Sequence, residues 1–185
     1  MKLYLLRHAE RGHGKKQDSL TKNGIEQSKK IASFLEKLNI NKIICADTKR
    51  ARNTIKLLED KFSGKIFYTK LVNEQEMGVL AGKSGEEYRK ALENSGLDKK
   101  SFRPENGENY YDMVERAKKF RKMLKKEKSK NILVSTHAGF IRTLVKLLRI
   151  PDENSKFDYA SISIIKFNRF GKPARYHLNS KKHLL

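Results

Sequence analysis

Apolar residues in this chain come either in short unbroken runs or at helical spacing, and the two kinds of segment alternate. Leu3-Tyr4-Leu5-Leu6, Ile43-Ile44-Cys45-Ala46 and Ile132-Leu133-Val134 are too short for ordinary helices and read as buried strands, and Ile66-Phe67-Tyr68 reads as a further strand. Between them, Ile25, Ile31, Ala32, Leu35 and Leu38 predict one amphipathic helix, and Ala51, Ile55 and Leu58 predict a second, capped by Asp47 or Thr48. Tyr110, Met113, Val114, Ala117, Phe120 and Leu124 form the longest apolar stripe, and a further helix over 140–149 is stopped by Pro151. Strand, helix, strand in succession predicts parallel pairing through right-handed crossovers. Tyr159 to Phe167 then alternates as a strand, and Ala174 to Leu178 returns after a turn as an antiparallel edge.

The fold class predicted is α/β: a three-layer sandwich with a mostly parallel central sheet, an antiparallel edge and helices on both faces. At 185 residues the chain is expected to form one domain over 1–185. Residues 83–107 are polar and irregular apart from a short helical piece around Glu86 to Asn94. They predict a lid or insertion where substrate preference is set.

Composition narrows the function classes. Charged residues make up 34 % and the formal net charge is +21, which favours anionic partners. The lysines run from Lys2 to Lys182 without a dominant block, as a solvated surface would carry them, and no nucleic-acid-reading motif accompanies them. No specific nucleic-acid partner is therefore expected. The one cysteine, Cys45, lies in an apolar run and reads as a core residue in a protein of the cytoplasm. No stretch reaches the roughly 18 apolar residues a membrane span needs, so no membrane partner is expected. Cysteine and histidine clusters with zinc spacing and Gly-x-x-x-x-Gly-Lys phosphate loops are absent from the sequence.

The candidate chemistry sits at strand ends. The first strand runs into Arg7-His8, the strand over Asn131 to Thr136 runs into His137, and Arg50 follows the second strand in the first turn of a helix. In an open parallel sheet, these groups meet at the carboxyl edge, where ligands bind. The first helical turn around Arg50 already favours an anion such as phosphate. Gly78 and Gly82 mark an ordered loop with demanding backbone angles after Glu74.

These residues also carry a resemblance. Arg7-His8-Ala9-Glu10 resembles the Arg-His-Gly-Glu signature of the histidine phosphatase superfamily, in the branch that holds cofactor-dependent phosphoglycerate mutases and many small phosphatases. Leu20-Thr21-x-x-Gly24-x-x-Gln27 is similar to the family's next block, and Arg50-Ala51-x-x-Thr54 to its Arg-Ala-x-x-Thr block. Leu71-x-x-Glu74-x-x-x-Gly78-x-x-x-Gly82 resembles the stretch that holds the acid, with one extra residue between Leu and Glu. Gly107-Glu108-Asn109 is close to Gly-Glu-Ser, and Ser135-Thr136-His137-Ala138-Gly139 to the second histidine block. Ala9, Ala46 and Leu80 replace a commoner glycine, serine and tryptophan, and an asparagine common after the first histidine has no counterpart over Ala9 to Lys16.

The resemblance implies a phosphomonoester hydrolase in which His8 becomes a phosphohistidine that water hydrolyses. It implies that Arg7, Arg50 and His137 bind the transferring oxygens and that no metal or cofactor takes part. Glu74 is the expected general acid, with Glu76 and Glu108 as rivals. Hydrolysis is favoured over mutase transfer because the chain is short for shielding a phosphohistidine from water. A mutase and a catalytically silent phosphate-binding module are the alternatives. The partner expected is a small phosphorylated substrate, with a phosphoprotein left open, and oligomeric state is not specified by the sequence.

Overall fold

Leu3, Tyr4, Leu5 and Leu6 point alternately to opposite faces of their strand, yet all four are buried. A strand can do this only where layers cover both sides of its sheet. The computed structural model describes residues 1–14, 18–151 and 156–185. Residues 15–17, which include part of the Ala9 to Lys16 stretch, and 152–155 lie outside the described residues.

Six strands form the sheet: β1 (Lys2–Arg7), β2 (Lys42–Ala46), β3 (Ile66–Thr69), β4 (Asn131–Thr136), β5 (Ile162–Phe167) and β6 (Pro173–Ser180). Their order is β3-β2-β4-β1-β5-β6. β3, β2, β4 and β1 are parallel, and β5 and β6 continue the sheet antiparallel. β1 and β2 are not neighbours, because β4 inserts between them. Consecutive strands thus leave a gap that a later strand fills. The insertion matters for the site: the register pairs Arg7 with Thr136, so the residues after them, His8 and His137, leave the sheet side by side.

Helices α1 (Lys22–Glu36) and α2 (Lys49–Glu59) pack together, as do α4 (Tyr110–Lys126) and α5 (Ala138–Leu147), and the two pairs enclose the sheet as three layers. Phe120 of α4 meets Phe140 of α5 edge to face at 5.6 Å, a favoured aromatic geometry. The 83–107 segment contains α3 (Gly85–Ser95), which has no buried residue. Its termini are complete: Ser84 and Glu87 form a capping box, and Gly96 ends it at φ 65°.

Four expectations need correction. Ile25 is 48 % exposed, because it stands six residues before Ile31 and so about 240° around the helix. Gly24 and Ser28 take the inward positions instead. The last helix starts at Ala138, two residues early, which makes His137 its N-cap, and it ends at Leu147 before Arg149 turns to φ 56°. Tyr159 is outside the sheet: Ala160 has φ 58°, which breaks the extended backbone, and β5 begins only at Ile162. Thr48 is the N-cap of α2 but makes no side-chain cap, and the Asp47 carboxylate instead pairs with Arg52. Cys45 is fully buried, and burial pushes its thiol up to about 12. Among the described residues no helix is long and apolar enough to cross a membrane.

Candidate active site

The backbone of His8 is held by both of its sheet neighbours. Its N–H donates to Thr136 O of β4 at 2.9 Å, and its carbonyl accepts from Ala160 N at 3.1 Å. The following N–H, of Ala9, donates to Thr54 Oγ1, which in turn donates to the Arg50 carbonyl, tying the loop to α2. The Leu20 to Gln27 block works from the other side: Thr21 and Asn23 donate to the Glu10 carboxylate, and Gln27 Oε1 accepts from Glu10 N. These bonds fix the direction in which the His8 ring leaves the chain.

His8 Nδ1 lies 2.8 Å from the Ala9 carbonyl. A carbonyl only accepts, so Nδ1 carries the proton and Nε2 the lone pair. The ring is 3 % exposed, and its basicity is pushed down to about 3, by burial first and then by Arg50, Arg7 and Arg11, against the opposing Ala9 bond. His8 is therefore a neutral imidazole across the physiological range.

Three groups surround it. The His137 ring centroid is 5.1 Å away, and burial, then Arg50, His8 and Arg7, hold its basicity well below the usual histidine value. Arg7 donates to Phe157 O at 2.5 Å and lies 3.8 Å over the ring of Tyr159. Arg50 donates to Asp18 Oδ1 at 2.9 Å. Of the four buried side-chain polar atoms with no hydrogen-bond partner among the described residues, three belong to this cluster: Arg7 Nε, Arg50 Nε and His137 Nδ1. Each such atom costs about 1–3 kcal/mol unless it gains a partner, and an anion is a partner suited to such N–H groups.

Glu74 reaches the cluster from the loop after β3. Its Oε2 accepts the N–H of Gly139 at 3.0 Å, in the first turn of the helix that His137 caps. A Cβ on Gly139 would stand 2.2 Å from Glu74 Oε1, so only glycine admits the carboxylate there. The rivals are placed elsewhere. Glu76 is exposed, and Glu108 is held by Arg116 at 2.7 Å and 2.6 Å. Gly78 and Gly82 have φ of 49° and 80°, as the loop's glycines led one to expect. A cavity of about 550 Å³ opens beside these residues, lined in part by Arg11, Thr48, Arg50 and Glu74.

The structure brings His8, His137, Arg7, Arg50 and Glu74 to one edge of the sheet. It adds residues that the sequence did not single out. Tyr159 stacks on Arg7 and stands 5.5 Å from His8. Asp18 places its carboxylate on the α2 N-terminus, accepting from Lys49 N at 3.2 Å and Arg50 N at 3.4 Å besides the Arg50 side chain. Arg116 donates to the carbonyls of Lys70, Leu71, Asn73 and Glu74 and so braces the loop that carries the acid. Their partners are remote in sequence, and no local pattern signals them.

Comparison with known proteins agrees with this geometry. Residues 3–179 match the profile of the family described as the histidine phosphatase superfamily, branch 1. A Schizosaccharomyces pombe protein named as a probable phosphatase is 30 % identical over 91 % of this chain and 83 % of its own length. The 6-phosphofructo-2-kinase/fructose-2,6-bisphosphatase of Caenorhabditis elegans is 25 % identical over 99 % of this chain, which spans 41 % of that longer protein. Among solved structures, the alpha-ribazole phosphatase of Shigella flexneri superposes with a TM-score of 0.78, covering 97 % of this chain and 96 % of that one at 25 % identity.

Proposed function

The chain belongs to the histidine phosphatase superfamily, branch 1, and from that premise we propose that it is a phosphomonoester hydrolase working through a phosphohistidine on His8. The observation that carries the reading is a buried, neutral His8 with Nε2 free for attack, set among three groups that each keep one buried nitrogen without a partner, Arg7 Nε, Arg50 Nε and His137 Nδ1.

His8 Nε2 attacks phosphorus in line, forming a P–N bond as the ester P–O bond breaks. The proton on Nδ1 stays on the ring, and the Ala9 carbonyl stabilises the charge that develops there. Arg7, Arg50 and His137 bind the transferring oxygens. Glu74 gives its proton to the departing alcohol oxygen, then takes one from the water that attacks the phosphohistidine, which restores both groups and releases phosphate. The 83–107 segment adds little enclosing structure, since its helix α3 has no buried residue, and this favours hydrolysis over transfer to a second alcohol. The charge compensation comes from side chains, so turnover does not depend on a metal. The protein is a cytoplasmic enzyme of small phosphorylated metabolites, and its one cysteine, free and buried, is in keeping with that compartment.

The test is hydrolysis of 4-nitrophenyl phosphate in EDTA between pH 5 and 9. Turnover that disappears in His8→Ala is expected. Equal turnover by that variant, or dependence on an added metal, overturns the reading.

A further inference from the structure

Glu74 and Gln75 line two cavities. The one that opens beside Arg50 carries four cationic lining residues and four acidic ones. The other, of about 470 Å³, lies between the 83–107 segment, α4 and α5. It is lined by Lys99, Lys100, Arg142 and Lys146, with Glu74 as its one acidic lining residue among those described. Tyr88 and Tyr110 add aromatic wall.

The backbone around this second cavity is fixed. Lys100 O accepts from Tyr110 N at 3.1 Å, which joins the Lys99-Lys100 turn to the start of α4. The exposed Asp98 carboxylate spends its hydrogen bonds within that turn, on Lys100 N at 2.8 Å and on Ser101. Tyr88 is pinned edge to face on Phe102 at 5.7 Å. Lys99, Lys100 and Lys146 form no ion pair with a described residue. In the first cavity, by contrast, Asp47 is paired with Arg52 and Glu108 with Arg116.

We infer that the alcohol half of the substrate occupies this second cavity and carries an anionic group of its own, a phosphate or a carboxylate. The inference rests on the proposed hydrolysis, in which the leaving oxygen must reach Glu74, an acid that lines both cavities. An alcohol that passes Glu74 and bears a negative charge meets unpaired cations on one side and a balanced set on the other. The substrate class is therefore a phosphomonoester of an anionic alcohol, with an apolar or aromatic portion against the two tyrosines.

Two aryl esters of matched shape test this: 4-carboxyphenyl phosphate and 4-carbamoylphenyl phosphate, each with the natural chain and with Lys99→Gln/Lys100→Gln/Lys146→Gln. The natural chain is expected to favour the carboxylate about tenfold in kcat/KM through KM, the scale of a few partly solvated ion pairs. The preference shrinks with salt. The triple variant loses it. Equal use of both esters by the natural chain overturns the inference while leaving the hydrolase reading intact, and so does a preference that survives in the variant. No turnover of these two esters or of 4-nitrophenyl phosphate overturns both.

Discussion

The Glu74 carboxylate accepts the main-chain N–H of Gly139 at 3.0 Å, two residues beyond His137. One short contact therefore ties the loop after β3 to the helix that the second histidine begins. The fit has no slack, since any Cβ at position 139 collides with it.

Gly139→Ala is accordingly expected to displace Glu74 without unfolding the chain. Alanine is up to about 1 kcal/mol better than glycine within a helix, so the melting temperature should hold or rise. Turnover of alkyl phosphates, whose leaving oxygen needs a proton, should fall about a hundredfold, the cost of misplacing a reacting group by an ångström. With 4-nitrophenyl phosphate, whose leaving group needs little protonation, the loss should be smaller. Steady-state kinetics on the two ester types, with a thermal melt, check this.

Arg116 places the same acid from behind. Its side chain is 17 % exposed, and its fork spans Glu108 and four loop carbonyls. A single ammonium cannot reproduce that geometry. Arg116→Lys should cost about 2 kcal/mol of stability and again slow alkyl esters more than nitrophenyl esters. A urea titration read beside the kinetics separates the two effects, and equal slowing of both ester types would reduce Arg116 to a packing residue.

The buried histidines make stability depend on pH. An unfolded His8 titrates near 6.5 and the folded one at about 3, so below 6.5 the unfolded chain binds the extra proton. The stability that His8 contributes is complete above 6.5 and declines toward pH 3 at about 1.4 kcal/mol per pH unit. His137, shifted the same way, adds to the slope. His8→Asn should therefore lose less stability than the natural chain between pH 6.5 and 4.5. Comparing the two chains cancels most of the titrating carboxylates. Parallel pH dependence of the two melting curves would mean that His8 is protonated in the fold.

Much of this architecture is legible in the sequence because burial on both faces leaves a plain mark. Leu3 to Leu6, Ile43 to Ala46 and Ile132 to Val134 cannot alternate with polar residues when both sides are covered. The strand ends then deliver Arg7, His8 and His137 together. Contacts that join distant segments leave no such mark. The resemblance points to Glu74 but leaves Glu76 and Glu108 as rivals, and what separates them in the fold is one N–H from residue 139 and one guanidinium from residue 116. Asp18 meets Arg50 across 32 positions. Ala160, an alanine at φ 58°, breaks a strand that composition alone would extend back to Tyr159.

The central claim is a covalent phosphoryl group on His8, and trapping it is the most direct test. The natural chain, quenched in alkali during turnover of 4-nitrophenyl phosphate, should carry a phosphoryl group on the peptide containing His8. The group should be lost in acid and absent from His8→Ala. A phosphoryl group found on any other residue, or steady turnover with none on the protein, would contradict the account.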